Sequence, residues 1–249
     1  KQTIVYWGRH EGAIERSMKQ AGSSKLKEDV SVARPLDGMR VLDLTDERGE
    51  LGPWMLGELG ADVIKVEPVG GVRSRGALPL QKDDESDLRS LQFCAYNSNK
   101  RSIVIDLNTQ SGRLLIEDLI ETADFIFESD TPGLLAQAGI SSDDILEKNK
   151  KLVHVLITPF GEFGPRVGDP YSELTLASLG GPVNVQGVPE RAPVKATIPQ
   201  VWRHAGAEAA VAALVSHRRM LTTGEGQKVV VSAQAVMTWT LLNAMEDRK

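Results

Sequence analysis

The residues with the strongest claim to chemistry lie in Asn97-Ser98-Asn99-Lys100-Arg101-Ser102, where two adjacent cations and amide side chains enter an apolar stretch. Donors converging on such a corner suit a diphosphate or a 3′-phosphate, because Arg presents a fixed fork and Lys a compact charge. A solvated turn accounts for the same residues at least as well. Phe160-Gly161-Glu162-Phe163-Gly164-Pro165 sets glycines just past an apolar run, which either lets backbone approach a ligand or makes a plain turn. Glu173, at the start of a helix, is either a capping or solvated carboxylate or an acid facing a cleft. His204 and Glu208 are four apart and share a helix face. No further ligand follows at zinc spacing, so a surface or packing histidine and no metal are expected. Cys94, the one cysteine, sits in an apolar setting and is expected to be a small core residue in a reducing compartment.

Elements that could position these residues alternate along the chain. Short apolar runs predict strands over Met39–Leu44, Asp62–Glu67, Ser102–Leu107, Asp124–Glu128, Leu152–Ile157 and Lys228–Ser232. Helical spacing falls between them, over Leu51–Leu59 (stopped by Gly60), Thr109–Thr122, a segment capped by Ser141, about Arg203–Leu221, and a last helix through Ala244. Gly70–Asp87 reads as a charged mobile loop. The alanines between Ala205 and Ala213 make one helix small-sided, so it should pack closely on another helix. Strands separated by helices imply βαβ crossovers: an α/β, Rossmann-like, largely parallel sheet with helices on both faces. Ligands of such sheets bind beyond the carboxyl ends of the strands. Glycines at 49, 52, 57 and 60 do not form a dinucleotide fingerprint and serve turns and packing.

The chain has 249 residues, 41% of them apolar, and a net charge of −5. That length can bury a full core, and the acidic balance argues against a nucleic-acid partner bound through phosphate neutralisation. No apolar run is long enough for a membrane span and the N-terminus lacks a signal-like core, so a cytoplasmic protein is expected. Residues 1–34 read as an N-terminal extension and linker; residues 35–249 read as the main domain.

Four segments together resemble the family III CoA-transferases, the group of formyl-CoA transferase, carnitine CoA-transferase and α-methylacyl-CoA racemase. They are Pro35–Leu44, Leu56–Pro68, Asn97–Leu107 and Thr222–Gln227 with its following Val-x-Val-Ser strand. The resemblance implies the large, nucleotide-fold domain of that family, incomplete at its C-terminus because the smaller domain is missing. It implies acyl-CoA and a carboxylic acid as substrates, no tightly bound cofactor, and an interlocked homodimer or a heteromer. In the family an aspartate carboxylate attacks the acyl-CoA thioester and the released thiolate then attacks the aspartyl carbonyl; the racemase branch moves a proton at the α-carbon instead.

Counting back from Thr223 and Gly206 places Trp202 where the resemblance implies that aspartate, and an indole cannot act as the nucleophile. Glu173 falls near a position that is often acidic in the family and is the leading carboxylate if this chain has chemistry of its own. Lys65, Arg73, Asn97, Lys100 and Arg101 are the residues expected to hold the CoA nucleotide. Asp130 stands in the turn expected near the phosphates, where it would weaken CoA binding unless it points away. The resemblance leaves three functions open: a CoA-transferase chain acting as the non-nucleophilic subunit of a heteromer or as a truncated enzyme, a CoA-ester-binding scaffold without turnover, and a racemase-like enzyme.

Overall fold

A computed structural model of the chain describes residues 33–82, 88–188 and 190–242. Residues 1–32 of the expected N-terminal extension and the end of the last expected helix lie outside the described residues. Eight strands and nine helices follow in chain order among the described residues: β1 Arg40–Leu44, α1 Leu51–Glu58, β2 Asp62–Glu67, β3 Leu80–Lys82, β4 Leu88–Ser90, α2 Leu91–Asn97, β5 Arg101–Val104, α3 Gln110–Glu121, β6 Phe125–Ser129, α4 Leu134–Gln137, α5 Ser142–Lys148, β7 Val153–Thr158, α6 Glu173–Gly180, α7 Pro182–Val185, α8 Val201–Thr223, β8 Gln227–Ser232 and α9 Ala233–Trp239. A single 3₁₀ turn, Arg73–Gly76, sits between β2 and β3.

Six strands form one sheet in the order β5-β2-β1-β6-β7-β8, and every pairing in it is parallel. Parallel strands need crossovers, and the crossover helices cover both faces, so the strands carry near-continuous apolar runs. Val41, Val63, Phe125, Phe127, Val155 and Ile157 point to one side, against Leu56 of α1 and the alanines of α8. Leu42, Ile64, Val66, Ile126 and Leu152 point to the other, against Ile116 and Ile120 of α3 and Ile145 of α5. The α/β architecture read from the sequence is the one observed.

Small residues set the closest helix contact. A Cβ on Gly52 would stand 2.9 Å from the Gly206 carbonyl oxygen, and one on Gly206 would stand 3.1 Å from Leu51 Cβ. The alanine-rich helix α8 therefore lies tightly across α1. Local caps agree with the sequence signals: Thr109 accepts from the Gly112 amide at the start of α3, and Ser141 with Asp144 forms a capping box on α5. Two expectations fail. Within the segment read as a mobile loop lie the Arg73–Gly76 turn and strand β3, paired antiparallel with β4. Cys94 is exposed, because α2 rides over the sheet edge beside that hairpin instead of entering the core.

Candidate functional site

The chain runs from β1 outward to β2 and β5, then returns through α3 to β6 on the other side of β1. The strand order thus reverses between β1 and β6, the kind of place where ligands of parallel sheets bind, beyond the carboxyl ends of the strands. Three polar clusters line that end of the sheet.

The first is sealed. Asp43 of β1 and Lys65 of β2 are register partners on the α1 face, so their side chains meet. Lys65 Nζ lies 3.3 Å from Asp43 Oδ2, 2.8 Å from the Thr45 carbonyl and 3.2 Å from Glu50 Oε1. Lys100 reaches over β2 to the same carboxylate, with Nζ 2.7 Å from Asp43 Oδ2 and 2.9 Å from the Glu50 carbonyl. Two ammonium groups and two carboxylates thus balance inside the protein. Burial opposes ionisation of Asp43, but the two ammonium groups overcome it and hold the carboxyl at about 2. Burial pushes Lys100 down to about 8, against the pull of Asp43. Ser74 donates to Glu50 at 2.6 Å, which ties the 3₁₀ turn to the cluster.

The second cluster closes the end of β2. The Glu67 carboxylate takes the Arg75 guanidinium, the Ser102 hydroxyl and, at 3.3 Å, the Val72 amide. Arg75 also stacks over Phe93, 4.2 Å from the ring centre, and so fastens α2 above the strand ends.

The third cluster bridges the loops that follow β1 and β6. Arg48 Nε lies 2.8 and 3.0 Å from the two Asp46 oxygens, and Nη2 also contacts that carboxylate. Asp46 in turn accepts from the Ser129 hydroxyl at the end of β6, at 3.0 Å. Arg48 Nη1 faces Asp130 Oδ2 at 2.8 Å and donates to the Tyr171 hydroxyl. Beneath this turn, Glu128 accepts from the Leu135 amide at 2.8 Å and pairs with His154 Nε2 at 2.7 Å, which fixes the path of Asp130–Gly133.

Beside this cluster, Trp202 sits in the first turn of α8, half-buried, with its ring edge-on to Tyr171 at 5.8 Å between centroids. Glu173, the first residue of α6, turns its Oε1 to the amides of Gln200 and Val201 at 2.6 and 2.9 Å. Those are orphan donors at the start of α8, so the carboxylate caps that helix from another element. Its Oε2 is buried without a partner.

The five residues expected to hold the CoA nucleotide are spread over the structure. Lys65 and Lys100 come together, but on Asp43, with Lys100 only 1% exposed. Arg73 stands at the carboxyl end, 80% exposed, with Glu47 Oε1 at 3.2 Å. Asn97 is buried and donates to the Phe93 carbonyl at 2.9 Å, its Oδ1 without a partner. Arg101 opens β5 and pairs with Asp62, the first residue of β2, at the amino end of the strands. Lys100 and Arg101 therefore do not form one corner. Asp130 points to Arg48 and not into open solvent. His204 and Glu208 are exposed, and among the described residues no group of three or more His, Cys, Asp or Glu could hold a metal ion. Arg48, Asp46 and Tyr171 were not anticipated; the Asp46-x-Arg48 pair just past a strand end was the available signal.

The family model for CoA-transferase family III matches residues 36–248, and the chain belongs to that family. Among its relatives, subunit BbsE of succinyl-CoA:(R)-benzylsuccinate CoA-transferase from Thauera aromatica is 36% identical over 83% of this chain and 50% of that protein. The succinate–glutarate CoA-transferase of Agrobacterium fabrum is 33% identical over 84% of this chain and 53% of its own length. A solved CAIB/BAIF family protein from Brucella suis superposes with a TM-score of 0.81 at 30% identity, over 86% of this chain and 57% of that one. The chain spans about half the length of the curated relatives it matches. No helix among the described residues is long and apolar enough to cross a membrane.

Proposed function

We propose that this chain works in transfer of CoA between an acyl-CoA thioester and a carboxylic acid, as the subunit that supplies no nucleophile. The observation that carries this reading is the first turn of α8: Trp202 holds the place where the family resemblance implies an aspartate, and the nearby Glu173 spends one oxygen on two helix amides. The attacking carboxylate then comes from a second chain of the same family, and this chain contributes the crevice wall and part of the CoA site. The relative named as a subunit supports a heteromeric arrangement. Exposed Val211 and Val215, four apart on α8, with exposed Leu174 and Leu179 on α6, offer apolar surface for such a partner. A cytoplasmic, interlocked dimer is the assembly we put forward.

For the nucleotide, Arg73 is the cation standing free enough at the carboxyl edge to meet a phosphate. Lys65 and Lys100 act from beneath, holding Thr45–Glu50 in place, while Asn97 steadies the end of α2. Arg101 serves the same strand from its far end. No tightly bound cofactor is needed for this chemistry, since the thioester brings its own leaving group.

A second reading has one observation in its favour. The buried Oε2 of Glu173 has no partner, and a free oxygen there could attack a thioester and carry the acyl group. CoA exchange between an acyl-CoA and a labelled acid separates the two. We expect none from this chain alone and activity after co-expression with an aspartate-bearing family chain. Exchange by this chain alone that is lost in Glu173→Gln supports the second reading, and CoA-ester binding without exchange in either preparation leaves a scaffold.

A further inference from the structure

We propose that Glu47 is a proton-linked latch on Arg73: when a phosphate claims the guanidinium, the carboxylate that loses it binds a proton, so CoA binding takes up hydrogen ions from solution. The inference rests on the CoA-ester reading above and adds a means of regulation to it.

The two residues face each other from anchored backbones. Arg73 opens the 3₁₀ turn, and its neighbours are tied to buried carboxylates: the Val72 amide to Glu67 at 3.3 Å, the Ser74 hydroxyl to Glu50 at 2.6 Å, and the Arg75 guanidinium to Glu67. Glu47 lies in the Thr45–Glu50 loop, whose two end carbonyls accept from Lys65 and Lys100. Between these fixtures the side chains are what can rearrange. The Arg73 side chain is 80% exposed and that of Glu47 24%, with Oε1 3.2 Å from Nη2. Arg73 can turn to an anion in solvent at small cost, because an exposed ion pair holds it weakly. The half-buried Glu47 stays behind.

Glu47 is badly placed to keep its charge once alone. Its Oε2 is buried and has no hydrogen-bond partner, and an unpaired carboxylate oxygen away from water is costly. Asp46, the preceding residue, adds a second negative charge. Burial and then Asp46 push the Glu47 carboxyl up, against the pull of its own amide, Arg73 and Arg48. The Arg48 charge is already matched by Asp46 and Asp130. Losing Arg73 to a ligand and gaining an anionic phosphate nearby both act in the same, raising direction. The balance is simple: Arg73 stays a cation throughout, the carboxylate becomes a neutral carboxyl, and the proton comes from the buffer.

Calorimetric titration of the full chain with CoA, in two buffers of different ionisation heat, counts the protons exchanged for each CoA bound. The CoA phosphates themselves release protons when they meet an arginine, so Glu47→Gln supplies the background. Relative to that variant, the wild type should take up part of a proton in mildly acidic buffer and none in mildly alkaline buffer. Glu47→Gln should also bind CoA about twofold to fivefold tighter in alkaline buffer, the range of one exposed ion pair. That advantage should shrink as pH falls, because uptake of a proton on binding means that acid favours the wild-type complex. Arg73→Gln should weaken CoA binding and erase the extra proton. Equal proton counts in wild type and Glu47→Gln, with CoA bound in both, overturn the latch and leave the CoA-ester reading standing. Failure of CoA to bind the wild type overturns that reading and the latch with it. Should Glu47→Gln not fold, the exposed Arg73→Gln decides alone, and an undiminished proton uptake or unchanged affinity there overturns the latch.

Discussion

The sealed cluster of Asp43, Lys65, Lys100 and Glu50 and the rim cluster of Asp46, Arg48, Asp130 and Tyr171 stand on neighbouring loops and use the same chemistry to different ends. In the first, two cations meet two carboxylates and all four side chains are removed from water, so no partner can leave without stranding a charge. In the second, one cation faces two carboxylates and one of them is a third exposed. The balanced cluster fixes the Thr45–Glu50 loop; the unbalanced one leaves a partly exposed carboxylate beside it. Charge balance and access together separate a sealed cluster from an accessible one here, and residue type alone does not.

Several variants would break or sharpen that contrast. Lys65→Met leaves Lys100 as the one ammonium against the buried Asp43 and Glu50 carboxylates and should cost about 3–5 kcal/mol, measured by denaturant unfolding; a loss as small as that of a surface ion pair would contradict a sealed, interdependent cluster. The pH dependence follows from Asp43. Its folded value near 2 lies below its ordinary 3.8, so its contribution is present above pH 4 and disappears as pH falls through 2. Thermal unfolding should therefore weaken across that window by about 2 kcal/mol, and Asp43→Asn should flatten that limb whatever its own starting stability. Lys100 acts in the alkaline window: its folded value near 8 lies below 10.5, so the unfolded chain holds the proton more firmly and the Lys100 contribution rises between those values.

On the rim side the effects should be smaller. Glu173→Ala strands the Gln200 and Val201 amides at the start of α8 and should cost about 1 kcal/mol, with Glu173→Gln recovering part of it in the same melt. Asp130→Gly should change stability by about 0.5 kcal/mol or less. A larger loss would mean that the Arg48–Asp130 pair holds the crevice shut as structure and would move it into the class of the sealed cluster.

Much of the frame could be read from local signals. The strand Asp62–Glu67 is observed with the bounds expected, because a branched apolar run ends at Pro68, and Thr109 caps its helix as its type suggests. The hairpin of β3 and β4 was hidden by charge, since its strands are three residues long and carry no period. The site was less accessible to sequence. Lys65 looks like a surface cation in its own strand and is buried because Asp43 lies beside it in register across 22 residues of chain. Asp46 meets Ser129 across 83 residues, and Arg48 meets Tyr171 across 123. Neighbour distance along the chain carries nothing about such pairs. Glu173 and Trp202 stand out in the sequence, but that the Glu173 carboxylate caps the helix bearing Trp202 is visible only once α6 and α8 are packed.

The central claim, that this chain carries no nucleophile of its own, is tested most directly by trapping. The chain alone is incubated with succinyl-CoA and then hydroxylamine or borohydride, and each carboxylate peptide is examined by mass spectrometry. An unmodified Glu173, with labelling confined to an aspartate-bearing partner when one is added, is the result the structure predicts. A hydroxamate or reduced side chain at Glu173 in the absence of any partner would contradict it.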